Sequence, residues 1–377
     1  MPGEPKIALV HDWMVSRGGA ERVVQDMHQI WPSAPIYTAA YDPSKFPEFM
    51  DADVRVTWLN KIKLAKTRHQ LFSIPRGWAF RSLDLSDYDI VISSSSAESK
   101  YVKTGPNTLH ICYCYTPIRY YWSDYDWYRQ HPPFGFLNPI AKLALPMLIK
   151  YLRQQDYRMA QKVSLFVTQS KYIQDRIKRY YDRDSAVIHP GTETDVYLNL
   201  KKHAGDFYLI VGRQVAYKRL DLAIDAFNEL GLPLVIAGTG EEVAVQQPRA
   251  KQNIVFKGFV PEEELLELYA NAKAVLYPQE EDYGLVPVEA QAAGTPVIAF
   301  GRGGAAETVI DGKTGVLFDE QTPKALIEAV KLFDSLSFDQ RVLREHSKRF
   351  DEAVFKREFK DYVDRAYAKF EDNGRNE

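Results

Sequence analysis

FYLIVGRQVAYKRLDLAIDAFNEL, residues 207–230, decides the fold. It opens on a short apolar run and crosses a loop carrying Arg213 and Lys218. It closes on Leu220, Leu222, Ala223, Ala226, Phe227 and Leu230 at helical spacing. An apolar strand without alternation is one buried on both faces, and a strand feeding a helix is half of a βαβ unit. The pattern recurs. PLVIAGTG (233–240), NIVFKGFV (253–260), AKAVLYPQ (272–279) and PVIAF (296–300) follow in the second half. IALVHDW (7–13), YDIVISSSS (88–96), LHICYCY (109–115) and SLFVTQS (164–170) read as strands in the first. The chain is therefore α/β with parallel sheets. Its 377 residues exceed what one hydrophobic core usually holds, which implies two doubly wound domains. The polar, turn-rich stretch HPGTETDVYLNLKKHAGD (189–206) marks the boundary. The expected domains are 1–190 and 191–350. Residues 352–371 form an amphipathic helix with Val354, Phe355, Phe359, Tyr362, Val363, Ala366 and Phe370 on one side. The segment 351–377 is expected to pack back toward the first domain.

Composition narrows the class. Hydrophobic residues make up 45% and charged residues 26%, ordinary for a globular protein. The apolar run near the N-terminus is too short for a signal peptide, and no run of 18 apolar residues exists to span a membrane; both point to the cytoplasm. Cys112 and Cys114 lie two apart in an apolar strand with no metal-binding neighbours, and read as buried small hydrophobes. Residues 1–200 hold 25 Lys and Arg against 20 Asp and Glu, and the remainder 23 against 30, so positive charge gathers in the first half. It is densest in NKIKLAKTRHQLFSIPRGWAFRSL (60–83), which has six basic residues, no acid, and Phe72, Trp78 and Phe80 interleaved. Two readings stand for this stretch: a solvated helix face over core aromatics, or a patch resting on anionic lipid headgroups. No nucleic-acid-binding motif accompanies it.

In doubly wound sheets ligands bind beyond the carboxyl ends of the strands, so the loops there carry the chemistry. The first is SRGGAERVV (16–24), where Gly18-Gly19 opens a helix whose free N–H groups can meet an anion. It lacks the GxGxxG pattern, and no acid ends the next strand, which argues against NAD. The second is GRQVAYKRLD (212–221). Arg213 can grip two phosphate oxygens while Lys218 acts as a point charge, a pairing that suits a diphosphate; standing alone, the loop reads more readily as two ordinary surface cations. The third is QEEDYGLVPVEAQAAGTPV (279–297). Pro287 suits the first turn of a helix and Gly294 its end, giving a helix over about 285–293. That puts Glu281 on the loop and Glu289 two turns along, both facing one crevice, with the backbone of Gly284, Leu285 and Val286 aimed at a phosphate. Such acids can accept bonds from sugar and ribose hydroxyls. The fourth, GRGGAAETVIDGKTGVLF (301–318), reads as a glycine loop entering a helix, packing on the 285–293 helix or touching ligand.

Taken together, GGAE near the start, GR-x4-K, HPG at the linker, AGTGE, and E-x7-E followed by A-x-A-x-G-x-P-V resemble the family-4 retaining glycosyltransferases. The likeness spans about residues 6–335. It implies the GT-B fold, two Rossmann-like doubly wound domains facing across a cleft. It also implies that Arg213 and Lys218 neutralise the donor diphosphate in place of a metal, with no cofactor, while Glu281 contacts the transferred sugar and Glu289 the ribose. Gly18, Gly19, Val260, Gly284, Leu285 and Val286 complete the expected donor-binding set. The wording EEDYGLVPVEAQAAGTPVIAFGRGGAAETV looks most like bacterial mannosyltransferases that build O-antigen or exopolysaccharide on a lipid carrier.

One departure stands out. In CYCYTPIRYYW (112–122) the residue before Thr-Pro, commonly histidine in that family, is Tyr115. A phenol can hydrogen-bond but has no readily protonated form near neutral pH. The expectation is that its hydroxyl donates to the donor sugar or its phosphate. The resemblance thus implies metal-independent transfer of a hexose, mannose from GDP-mannose, to a lipid-linked glycan at the inner face of the plasma membrane. A transferase using another sugar nucleotide such as UDP-glucose, and a catalytically impaired nucleotide-sugar-binding partner subunit, are the alternatives. A sugar-nucleotide epimerase fits the E-x7-E combination less well.

Overall fold

The computed structural model describes residues 4–67, 72–126, 138–203 and 205–374. The chain forms two compact units, Met1–His189 together with Lys356–Glu377, and Pro190–Phe355.

The first unit is built on seven strands: β1 (Ile7–His11), β2 (Ile36–Thr38), β3 (Val54–Val56), β4 (Ile90–Ser95), β5 (Leu109–Cys114), β6 (Leu165–Thr168) and β7 (Ser185–Val187). All pairings are parallel, in the order 3-2-1-4-5-6-7. Every residue of β4 and β5 is buried, which is why both read as unbroken runs. Successive side chains point to opposite faces. Thus Cys112 and Cys114 pack with Phe166, Ile173, Ile177 and Tyr181 as buried, free thiols. Helix α1 (Gly19–Ile30) carries the crossover from β1 to β2 and buries Val23, Val24 and Met27. Three short helical pieces follow β3: the 3-10 turn Trp58–Lys61, α2 (Lys63–Thr67) and α3 (Ser73–Arg81). Then come α4 (Asn138–Ala160) and α5 (Lys171–Tyr181), the latter started by the Ser170 hydroxyl, which accepts the Ile173 N–H at 3.2 Å.

The second unit has six parallel strands: β8 (Tyr208–Val211), β9 (Leu234–Ala237), β10 (Ile254–Gly258), β11 (Ala274–Tyr277), β12 (Val297–Phe300) and β13 (Gly315–Phe318), ordered 10-9-8-11-12-13. Alternation is hidden because both faces are covered. Tyr208 and Ile210 enter one apolar cluster with helix α6 (Leu220–Leu230), and Leu209 enters the other. Helices α7 (Glu262–Asn271), α8 (Val286–Ala292), α9 (Pro323–Asp334) and α10 (Gln340–Ser347) complete the unit. The last helix, α11 (Glu352–Gly374), begins at the end of the second unit and from Lys356 on belongs to the first, within which Phe359 sits edge-on to Trp31 and Tyr113, 5.9 and 5.7 Å between ring centroids.

Strands β2, β3 and β7 were not evident in the sequence because each is only three residues long. The 301–318 stretch also departs from its reading. Its helix is four residues, Ala305–Thr308, and its end is strand β13, paired to β12.

Candidate functional site

Each sheet reverses its strand order once, between β1 and β4 and between β8 and β11. Loops leaving the sheet on either side of such a point diverge and leave a crevice. Arg213 and Lys218 follow β8, and Glu281 follows β11, so the second crevice collects them. The 212–214 backbone lies against the loop after β9: Gln214 N–H donates to Thr239 O at 2.9 Å. A Cβ at Gly238 or Gly240 would sit 2.0 Å from Gly212 O or 1.9 Å from Gln214 O, so this contact requires the glycines of AGTGE.

Arg213 is exposed and makes no hydrogen bond or ion pair among the described residues. Lys218 ends the 3-10 turn Ala216–Lys218, and its Nζ lies 3.9 Å from Glu281 Oε2, with side chains 13% and 23% exposed. Glu281 is held from several sides. Tyr217 donates its hydroxyl to Oε1 at 3.2 Å, while Tyr277 and Gln279 donate to Oε2. Burial pushes this carboxyl up, but the Lys218 ammonium and these hydrogen bonds outweigh it and hold the group below the usual carboxylate range. Glu281 is thus a fixed carboxylate next to a cation. Its backbone is fixed too: Gly304 N–H donates to Glu281 O at 2.9 Å, and a Cβ at Gly303 would fall 2.4 Å from that oxygen. The 301–304 loop therefore supports the Glu281 loop.

Glu289 lies in α8 and accepts the Tyr269 hydroxyl at 2.7 Å. Helix α8 is shorter than the 285–293 expected, seven residues, with Leu285 as its N-cap and Gly284 in the turn before it. So short a helix adds little dipole, and Arg213 and Lys218 are left as the groups suited to an anion. Val260 follows β10 with its side chain against the core, leaving its backbone for any ligand; the neighbouring Phe259, which the sequence reading passed over, is 81% exposed. Tyr217, Tyr277 and Gln279 were also passed over, since nothing in their spacing links them to Glu281.

In the first unit Gly18 and Gly19 are exposed at the start of α1, as expected. Tyr115 is not placed as expected. It is only 7% exposed, and its hydroxyl donates to Ala20 O at 3.0 Å and contacts Ser94 Oγ at 2.8 Å. The expectation of a hydroxyl free to donate to sugar or phosphate is therefore corrected: its one proton is already committed to a carbonyl that can only accept.

The basic stretch also divides. Arg76 is buried in an ion pair with Glu98 at 2.5 Å, Phe80 is core, and Lys66 donates to Tyr41 O. What faces outward is Lys61, Lys63, Leu64 and Trp78, the last 61% exposed, with Trp58 beside them. Arg68 lies outside the described residues. Among those residues no group of acids, histidines and cysteines could hold a metal, and no helix is long and apolar enough to cross a membrane.

Two parallel sheets, each with one reversal of order, make this the GT-B fold. HepE from Anabaena, solved in complex with UDP, superposes with a TM-score of 0.68 over 95% of this chain and 99% of its own, at 17% identity. Residues 198–357 match the family model described as Glycosyl transferases group 1. The chain is 28% identical to the GDP-mannose-dependent alpha-(1-6)-phosphatidylinositol monomannoside mannosyltransferase of Mycolicibacterium smegmatis over 54% of its length and 65% of the relative's. It is 26% identical to the O-antigen chain mannosyltransferase C of Escherichia coli, over 61% and 71%. Matches to three of the most similar curated relatives cover 42–65% of their lengths.

Proposed function

We propose that this protein is a retaining, metal-independent glycosyltransferase that moves a hexose, mannose from GDP-mannose, onto a lipid-linked glycan of a bacterial surface polysaccharide. The observation that carries the reading is the Lys218–Glu281 pair at the switch point of the second sheet, with Arg213 unengaged beside it among the described residues. In this reading the two cations take the donor diphosphate and stabilise the charge that grows on it as the glycosidic bond breaks. No divalent ion is needed for that charge. Glu281, ionised and held by three donors, accepts hydrogen bonds from hydroxyls of the transferred sugar; Glu289 accepts those of the ribose. The backbone of Gly284, Leu285, Val286 and Val260 lines the nucleotide; Gly18 and Gly19, exposed at the start of α1, are suited by their open backbone to a donor anion. Retention follows when the departing diphosphate stays beside the attacking hydroxyl.

Mannose is supported by the printed names of the mycobacterial and O-antigen relatives. A UDP-sugar donor is the second reading, favoured by the Anabaena structures solved with UDP and with UDP-glucose. For a lipid-borne acceptor, the outward face of Lys61, Lys63, Leu64 and Trp78 fits an anionic membrane surface, on the cytoplasmic side where nucleotide sugars are made. On α4, Met147, Lys150 and Tyr151 add exposed apolar and basic groups.

The test is incubation of the purified protein with GDP-, UDP-, ADP- and TDP-sugars and a lipid-linked acceptor, with the product's anomeric configuration read by NMR. An α-linked product from an α-linked donor supports the proposal, and inversion overturns retention. Binding without transfer to any acceptor favours an inert partner subunit.

A further inference from the structure

At the switch point of the first sheet, pairing of β1 with β4 sets His11 opposite Ser94. From there a hydrogen-bonded chain runs through three contacts. His11 Nδ1 is 3.0 Å from Ser94 Oγ, Ser94 Oγ is 2.8 Å from Tyr115 Oη, and Tyr115 Oη is 3.0 Å from Ala20 O. Three contacts need three protons. The Ala20 carbonyl has none, and the two hydroxyls supply one each. The third must sit on His11 Nδ1, which also lies 3.2 Å from another pure acceptor, Ser94 O. The other ring nitrogen, Nε2, faces Glu21 Oε1 at 3.5 Å. Because a carboxyl is a much stronger acid than an imidazolium, that contact places a second proton on the ring.

We infer that His11 is a doubly protonated positioning residue that locks Tyr115 and the first turn of α1 in place for transfer. The inference rests on the transferase reading. Its reach is set by where the chain ends. Tyr115 holds Ala20, and His11 holds Glu21, the next residue. The second oxygen of Glu21 lies over Gly18, 3.0 Å from where a Cβ there would be. Two consecutive residues of the turn are therefore tied to the sheet, directly behind the exposed Gly18–Gly19 backbone. Tyr115 thus acts through Ala20 and not as a donor to ligand.

The charged groups acting on His11 are Glu21 from α1 and Asp12 beside it. Asp12 is a buried carboxylate that accepts the N–H groups of Ser96, Ala97 and Ser99 at 2.6–2.8 Å. The strand β4 and the end of β5 contribute the hydroxyls of Ser94 and Tyr115. Burial disfavours the imidazolium, but Glu21, Asp12 and the Ser94 carbonyl outweigh it and raise the group above its ordinary value. His110 shows the opposite case: buried beside Ser93 Oγ without a carboxylate partner, it is pushed down to about 4. With a raised value, the His11 charge is present at low pH and is lost only as pH rises through a value above the ordinary imidazole range. Transfer should fall on the alkaline side with it.

The experiment is NMR of the full chain with ¹⁵N-labelled histidine, alongside transfer kinetics for wild type, His11→Gln, Ser94→Ala and Tyr115→Phe. Both His11 nitrogens should carry protons at neutral pH, and Ser94→Ala and Tyr115→Phe should lower the pH at which His11 titrates while leaving His110 unmoved. A neutral His11 at pH 7, or one indifferent to both substitutions, overturns the proton arrangement. For a group displaced by a fraction of an ångström, His11→Gln should lose about 10- to 100-fold in kcat with donor KM near wild type, and should lose the alkaline limb. His11→Gln with wild-type kcat and an unchanged alkaline limb overturns the positioning role and leaves the transferase reading standing. A wild type that transfers to no acceptor sinks that reading and the positioning role together, whereas the NMR titration decides the proton arrangement independently.

Discussion

Arg213 and Lys218 differ in what they do for the protein before any ligand arrives, and that difference makes a sharp test. Arg213 has no partner among the described residues, so Arg213→Ala removes no internal contact there and should change stability by no more than about 0.5 kcal/mol. Its loss should appear in binding alone. A hydrogen bond to a charged group is worth about 1.5–3 kcal/mol, so nucleoside diphosphate affinity should drop about 10- to 150-fold. Lys218 also serves Glu281. At 3.9 Å their attraction is about 1 kcal/mol with water-like screening and about 4 kcal/mol at an effective dielectric of 20. Both side chains are mostly buried, so the true figure lies between. Lys218→Ala should therefore bind diphosphate at least as poorly as Arg213→Ala, since it adds the unbalanced Glu281 charge, and should also melt earlier. The pH sign follows. Glu281 has a depressed folded-state pKa, so it contributes stability above the unfolded carboxyl's value that is lost as pH falls through the folded value; Lys218→Ala should shrink that acid-side loss. Calorimetric titration with GDP, UDP and the bare nucleosides at constant ionic strength is the assay. If guanosine or uridine binding falls as far as diphosphate binding, or Arg213→Ala leaves both untouched, the clamp is refuted.

Three further outcomes are expected. Transfer in excess EDTA should continue at a similar rate, because two protein cations meet the diphosphate; abolition by EDTA with rescue by Mg²⁺ or Mn²⁺ would falsify metal independence. Gly303→Ala should destabilise more than Gly312→Ala: both positions have φ above +70° and share the left-handed penalty of about 1–2 kcal/mol, but only at Gly303 does the new methyl meet a backbone oxygen, and equal melting shifts would remove the support proposed for the Glu281 loop. The protein should sediment with anionic vesicles, ignore neutral ones and be released near 1 M salt, where the Debye length is about 3 Å; Lys61→Glu with Lys63→Glu and no loss of binding would return that face to a merely solvated one.

The long apolar runs were legible because β4, β5, β8, β11 and β12 are central strands covered on both faces, so hydrophobicity alone marks them. Shorter strands escaped because a three-residue pairing such as Ile36–Thr38 gains its stability from neighbours the local sequence does not contain. The cations of the 212–218 loop and Glu281 could be picked out because charged residues just past an apolar strand violate the local pattern, and Glu289 because it stands eight residues from Glu281 in a helix whose first turn holds Pro287. Their partners could not. Tyr277 ends an apolar strand and looks like core until its hydroxyl is seen on Glu281. His11, Ser94 and Tyr115 are the extreme case, since the contacts that give them meaning span 83, 21 and 95 residues. Periodicity carries no information over such separations; only the strand register does. Tyr115 shows the consequence. Read as a single substitution it suggested a phenol offered to ligand, yet placed opposite Ala20 it can only donate inward. A tyrosine is longer than a histidine, and from the end of β5 that length is what reaches the first turn of α1. The position is therefore better understood through the span of its side chain than through its acidity: Tyr115 keeps its single phenolic proton and donates it to Ala20, and the group of this hydrogen-bonded chain that can carry a charge is His11.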